Sequence, residues 1–362
     1  MKVLALNSSP RGDGQSKTEL LLNHLVQGMK EAGAEVEVVP LRRKKIRYCS
    51  GCFTCWTKTP GKCIHQDDMT RELFPKWLAA DLVIYAAPLY HFHLNAQMKT
   101  FVERTLPAVL PFFEYEEGRT THPLRHSFPK AVVLSVAGFP DMEAFDQLSA
   151  WVRFVFGREG RLVAEIYRPA AESLPRAGAK AEEIFAAFRQ AGREIVEQGA
   201  LSPETLALVT KEIGKNREQF ALLGNAYWKT CIAEKITPKE FDERDMIPRP
   251  DSLETFLIVM SLGFNKEAAR EVQAVIQFRF SGEVKGNCYF RIDQGELTTA
   301  LGEGENPDLI INAHFEVWMD ILTGKADGAA LFMEGKYTVE GDPSLLMHLS
   351  EWFGKGSKAP TS

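Results

Sequence analysis

"MKVLALNSSPRGDGQSKTELLLNHLVQGMKEAGAEVEVV", residues 1–39, decides the fold of the first half of the chain. A short apolar run at 3–6 leads into a stretch crowded with Ser, Pro and Gly, and an amphipathic helix follows over 18–32. "EVEVV" at 35–39 supplies a second strand. Strand, loop, helix, strand is the opening unit of a doubly wound sheet. Further strand signals lie at 82–86 ("LVIYA"), 131–136 ("AVVLSV") and 162–167 ("LVAEIY"), with helical segments between them. They extend the pattern to an α/β fold with a five-stranded parallel sheet.

The 362 residues exceed one ordinary domain, which predicts two. A hydrophobic fraction of 45% with 25% charged residues is that of a soluble globular protein, and a net charge of −5 argues against a nucleic-acid partner. The apolar run at the start is too short for a signal-peptide core or a membrane span, so the sequence reads as cytoplasmic.

From 179 to 228 the pattern is helical, with Gly199 closing one helix and Ser202 and Pro203 opening the next. The charged, proline-containing segment 236–252 is the best boundary. Beyond it "VIQFRF", "NCYFRI", "ELTTAL" and "DLIINA" read as strands of an antiparallel sheet, with helices at 252–262, 315–322 and 343–353. Alternation leaves Gln277 and Arg279 on the polar face, and "GKGSKAPTS" reads as a frayed tail. The domains expected are 1–200, a helical connector over 201–250, and an α+β domain over 251–355.

In doubly wound sheets, ligands sit beyond the carboxyl ends of the strands, which makes 7–18 the place for an anion. Ser8, Ser9, Ser16 and Thr18 bring hydroxyls, Arg11 and Lys17 bring charge, and the next helix offers its positive end. There is neither GxGxxG nor GxxxxGK[ST], so the dinucleotide and triphosphate readings are weak and the phosphate of a flavin mononucleotide remains. A plain polar loop with a serine helix cap is the alternative.

Cys49, Cys52, Cys55 and Cys63 follow the spacing C-x2-C-x2-C-x7-C. In a reducing compartment such a cluster points to metal or redox chemistry. Four thiolates can hold an iron–sulfur cluster, and Gly51 and Gly61 free the backbone to wrap it. Zinc, a redox CxxC pair and a metal-free loop are the other readings. Cys231 and Cys288 read as buried thiols. Asp67 and Asp68 read as caps of the helix that follows them, Asn95 as the cap of the next, and Lys99 and Arg104 as exposed helix charges.

"NSSPRGDGQS", "CSGCFTCW" with "GKCIHQDD", and "PLYHFHLNAQMKTFVER", in this order, resemble the flavodoxin-like NAD(P)H-dependent FMN reductases, and most of all their iron–sulfur flavoprotein branch. The resemblance covers residues 1–200. It implies that Ser8, Ser9, Arg11, Ser16, Lys17 and Thr18 hold the FMN phosphate. Pro88, Leu89, Tyr90, His91 and Phe92 would border the flavin ring, with the loop of Ser135 and Gly138 on its other side. It further implies a [4Fe–4S] centre on Cys49, Cys52, Cys55 and Cys63, NAD(P)H as cosubstrate, an unknown electron acceptor, an FMN reductase or quinone reductase activity, and a homo-oligomer.

From 252 to 353 the chain resembles the sterol carrier protein type 2 family, on "VIQFRFSG", "NCYFRIDQGEL" and the stretch from "NPDLIINAHF" to "GDPSLLMHL". That resemblance implies an apolar tunnel for a lipid or other hydrophobic ligand. Phe280, Phe290, Ile311, Trp318, Leu331 and Met333 are the candidates for its lining. A rival reading makes the whole chain a carrier of such a ligand, whose first half passes electrons to a protein partner without NAD(P)H.

Overall fold

The computed structural model describes residues 1–354 apart from Asp13, Glu117 and Lys215, so the tail beyond Gly354 lies outside the described residues. Two compact units emerge, Met1–Lys215 and Asn216–Ser362.

In the first unit, β1 (Lys2–Asn7), α1 (Lys17–Glu31), β2 (Glu35–Pro40), α2 (Phe74–Ala79) and β3 (Leu82–Tyr90) alternate as the sequence predicts. A two-residue turn joins β3 to the short antiparallel β4 (His93–Leu94), and α3 (Ala96–Glu103) follows. After a hairpin of β5 (Glu114–Glu116) and β6 (Arg119–Thr121) come β7 (Lys130–Val136), α4 (Asp146–Phe156), β8 (Leu162–Arg168), α5 (Ala179–Gln198) and α6 (Pro203–Val209). The five long strands are parallel and run in the order β2-β1-β3-β7-β8, the flavodoxin-like winding.

The inner strands are apolar on both sides because helices cover both faces. One face packs Val3, Ala5, Ile84, Leu134 and Ile166 against Leu21, Leu25 and Met29 of α1 and Ile184 and Phe188 of α5. On the other, Leu4, Leu6, Val83 and Val133 meet Trp77, Met98, Phe101, Leu148 and Val152. Helix α1 and helix α5 touch backbone to backbone: a Cβ on Gly28 would stand 1.8 Å from the Arg189 carbonyl oxygen, and one on Gly192 2.1 Å from that of Leu25.

In the second unit, α7 (Arg217–Glu234), α8 (Pro238–Glu243) and α9 (Leu253–Leu262) precede β9 (Gln273–Ser281), β10 (Gly286–Asp293), β11 (Glu296–Leu301) and β12 (Leu309–His314). Then follow α10 (Phe315–Leu322), α11 (Gly328–Met333), β13 (Tyr337–Gly341) and α12 (Ser344–Phe353). The sheet order is β11-β10-β9-β12-β13, and β12 pairs parallel to β9, so the sheet is mixed where the sequence reads as purely antiparallel. The cause is topological: the chain leaves the far edge at β11 and returns on the other side of β9. Gln277 is also fully buried instead of facing solvent. Its amide donates to the Cys288 and Gly302 carbonyls and accepts from the Gly304 amide, which satisfies every demand burial makes on it.

Phe280, Phe290, Ile311 and Trp318 are buried in one aromatic-rich core with Phe256, Phe278 and Phe315, their rings about 5 Å apart and mostly edge to face. Of the other two residues read as tunnel lining, Leu331 is half-buried against this core and Met333 is 82% exposed. Met333 is therefore surface: it is the last residue of the short α11, whose side chains are nowhere buried.

Candidate functional site

Two clusters of polar side chains stand out in the first unit. The first lies at the carboxyl ends of β1, β3 and β7. Ser8 continues β1, its amide and hydroxyl both donating to the Ala86 carbonyl at 2.9 and 3.3 Å, and the Ser9 amide donates to Asn7 Oδ1 at 3.0 Å. Ser16 is the N-cap of α1, accepting from the Glu19 amide at 3.0 Å, while Thr18 is buried in the helix's first turn. The remaining first-turn amides of α1 have no acceptor within the helix, which leaves them for an anion.

Charge surrounds this loop. Arg11 and Lys17 share one carboxylate, Glu172, at 2.7 and 3.8 Å. Arg42, which the sequence reading passed over, lies against Gly12 and pairs with Glu19 at 3.2 Å, and its Nη1 is buried with no partner among the described residues. Two further buried polar atoms stand without partners among the described residues at the strand ends, Nδ2 of Asn7 and Oγ of Ser135. Native interiors leave few such atoms unpaired, so three around one rim mark a place where a polar ligand completes the bonding. The chemistry matches a phosphorylated, carbonyl-rich heterocycle: cations and helix amides for phosphate, an amide and a hydroxyl for ring or chain oxygens.

On the next strand, Pro88 and Leu89 end β3 and Tyr90 opens the turn to β4. His91 and Phe92 both take positive φ, +48° and +60°, as a two-residue hairpin requires, and this turns Tyr90 and Phe92 outward to about half exposure. Phe92 stacks on Phe139, ring centres 5.8 Å apart and nearly parallel, so the β3–β4 turn and the loop after β7, which carries Gly138, face each other. Asn95 ties the two regions together: it caps α3 through the Met98 amide and donates to the Ser8 carbonyl at 2.6 Å.

The second cluster is the cysteine loop. Gly51, Phe53 and Gly61 have φ of +63°, +50° and +81°, which coils the chain tightly, and the Gly61 amide donating to the Cys55 carbonyl at 2.9 Å folds 56–62 back to return Cys63. Cys49, Cys52, Cys55 and Cys63 all line one hollow that opens to solvent and encloses about 20 Å³. Burial pushes the Cys55 thiol up, and repulsion from Cys63, Cys49 and Cys52 adds to it; Cys52, exposed and hydrogen-bonded by Thr54, falls to about 7. Among the described residues no three His, Cys, Asp or Glu side chains are gathered around the position of a single metal ion. Four thiols lining one hollow are the donor set, in kind and number, that an iron–sulfur cluster takes.

Behind Cys63, Arg104 departs from its reading as an exposed helix charge: it is 2% exposed. Its fork grips Asp67 at 2.8 and 3.1 Å and also donates to the Arg47 carbonyl and the Thr70 hydroxyl. Burial opposes the charge on Asp67, but Arg104 and the amides of Arg47 and Thr70 outweigh it and hold the carboxyl at about 2. Of the two residues read as caps, Asp67 accepts from the Thr70 amide at 3.2 Å, whereas the Asp68 side chain makes no cap bond and accepts from the Lys45 amide instead; Lys99 is surface, paired with Glu103. Cys231 and Cys288 are buried, and burial pushes Cys288 up to about 12.

Comparison with known proteins agrees with this division. Residues 1–136 match the family model for NADPH-dependent FMN reductase, and residues 262–354 that for the SCP-2 sterol transfer family. An iron-sulfur flavoprotein of Archaeoglobus fulgidus is 41% identical over 107 residues, 30% of this chain and 46% of that protein. One of Methanocaldococcus jannaschii is 39% identical over 104 residues, 29% of this chain and 50% of that protein. The chain thus spans about half the length of the curated relatives it matches. Among solved structures, an NAD(P)H:quinone oxidoreductase from Methanothermobacter marburgensis superposes with a TM-score of 0.42 at 22% identity, covering 54% of this chain and 98% of that one. Among the described residues no helix is long and apolar enough to cross a membrane. The chain joins a segment that matches the NADPH-dependent FMN reductases to one that matches the SCP-2 sterol transfer family.

Proposed function

We propose that this protein is a cytoplasmic NAD(P)H-dependent flavin oxidoreductase that holds FMN at the carboxyl rim of the first sheet and a [4Fe–4S] centre on Cys49, Cys52, Cys55 and Cys63. The observation that carries the reading is the set of buried polar atoms on Asn7, Arg42 and Ser135 that have no partner among the described residues, around a loop already supplied with Arg11 and Lys17. When bound, FMN supplies two-electron acceptance from a nicotinamide and one-electron release to the cluster or to an acceptor.

The chain's own part is to bind and to orient. Ser8, Ser9, Ser16, Lys17, Thr18 and Arg11 take the phosphate; for this Arg11 and Lys17 must turn from Glu172. Ser135 and Gly138 meet one side of the ring, and Pro88, Leu89, Tyr90, His91 and Phe92 the other, with the Phe92–Phe139 stack as the part that must open. No side chain is required as acid or base. The second unit takes a hydrophobic ligand, and the molecule works as a homo-oligomer. Whether the acceptor is a quinone, a free flavin or a protein is decided by turnover.

Anaerobic stopped-flow mixing of the FMN-loaded protein with NADPH and, separately, NADH tests the activity. Prompt bleaching of the flavin absorbance by at least one of them is the expected result. A flavin inert to both would replace the enzyme with an electron-passing carrier.

A further inference from the structure

Arg104 uses only part of its donor set. Nη1 and Nη2 serve Asp67, Arg47 and Thr70, but Nε has no hydrogen-bond partner among the described residues, although the side chain is 1% exposed. Leaving a buried donor unmade costs about 1–3 kcal/mol, more for a charged group, so such an atom favours an acceptor held in the hollow beside it. The guanidinium lines the same hollow as the four cysteines. His65, on the same wall, also has a buried nitrogen, Nε2, without a partner among the described residues.

We infer that Arg104 is a positioning residue for the iron–sulfur centre: locked in place by Asp67, it directs Nε–H and a full positive charge at the sulfur atoms around Cys63, fixing that ligand and favouring the reduced cluster. The inference rests on the cluster reading proposed above. One-electron reduction adds a negative charge to the cluster and its sulfurs without making or breaking a bond to the protein. A fixed cation and an N–H···S contact stabilise that added charge more than they stabilise the oxidised form, which raises the potential. The bidentate grip of Asp67 matters because an arginine free to swing would lose both the direction and the desolvated environment that give its charge effect.

The test is a redox titration of the anaerobically purified full-length protein, followed by electron paramagnetic resonance, with iron and sulfide measured on the same samples. Arg104→Gln is expected to shift the ratio of reduced to oxidised cluster about tenfold toward oxidised at a fixed ambient potential, a midpoint lower by about 59 mV for a one-electron couple. Arg104→Lys keeps a charge but loses the rigid fork, and a smaller lowering is expected. If Arg104→Gln takes up no iron, the lysine variant decides: a lowered midpoint supports the inference and a wild-type midpoint overturns it. A loaded Arg104→Gln protein at the wild-type midpoint overturns the inference and leaves the cluster reading intact. Wild-type protein without iron and sulfide overturns the cluster reading, and the inference with it.

Discussion

Serine in place of Cys55 is expected to leave the purified protein without iron or acid-labile sulfide, whereas alanine in place of Cys288 leaves both at the wild-type level. Cys55 sits at the floor of the cysteine hollow, 7% exposed, and is the thiol on which Cys49, Cys52 and Cys63 all act electrostatically. A serine there offers a poor ligand at neutral pH and keeps a hydroxyl where a thiolate is needed, so loss of the centre should be complete rather than graded. Cys288 is hidden too, but in β10 of the second sheet, where burial, with repulsion from Glu254 added, pushes its thiol up to about 12. Metal analysis of anaerobic preparations checks the result and separates the chemistries: iron with matching sulfide supports the cluster, zinc without sulfide supports a structural ion, and neither supports a metal-free loop.

Valine in place of Gly28 should be the most damaging single substitution in the scaffold. The α1–α5 contact has no room for even one carbon, since the added Cβ would lie 1.8 Å from a backbone oxygen of Arg189 that no rotamer change can move. The helices must separate and open the apolar layer of Leu21, Leu25, Ile184 and Phe188. Overpacking of this kind costs about 3 kcal/mol or more. By contrast Gly33, with φ +84° and nothing within 4 Å of a Cβ, should cost only about 1 kcal/mol on change to alanine, the price of a left-handed backbone. Thermal melts of the two variants should differ plainly, with Gly28→Val lacking the first unit's transition at the wild-type position. Equal, small shifts would mean that the helices are not held in backbone contact.

How much of this was legible in the sequence follows from the range of each interaction. Strands β1, β3 and β7 were legible because a strand covered on both faces is an unbroken apolar run, the edge strand β8 from the apolar residues on either side of Glu165, and Ser16, Asn95 and Ser202 because a helix cap is a local exchange between a side chain and an amide three residues on. That the four cysteines gather around one hollow could be anticipated from their spacing. Arg104 could not: its partner Asp67 lies 37 positions away, and an arginine at the end of an amphipathic helix looks like any solvated charge until the fold buries it. Arg42 escaped for a similar reason, reaching the loop from beyond β2, while Asn7 fell inside the anion loop at 7–18 but was not singled out, although a polar residue closing a buried strand was a signal that could have been used. In the second unit, helix α11 and strand β13 went unread because both are short, and the parallel pairing of β9 with β12 is a fact of topology that alternation within a strand does not encode.

The most direct test of the account is a fluorescence titration of flavin-free protein with FMN and, in parallel, riboflavin. If Arg11, Lys17, Arg42 and the amides of α1 grip a phosphate, FMN binds saturably and at least about tenfold tighter than riboflavin, roughly 1.4 kcal/mol, and the combined Arg11→Ala, Lys17→Ala substitution erases that preference. No binding of FMN, or equal binding of the two flavins, would contradict it.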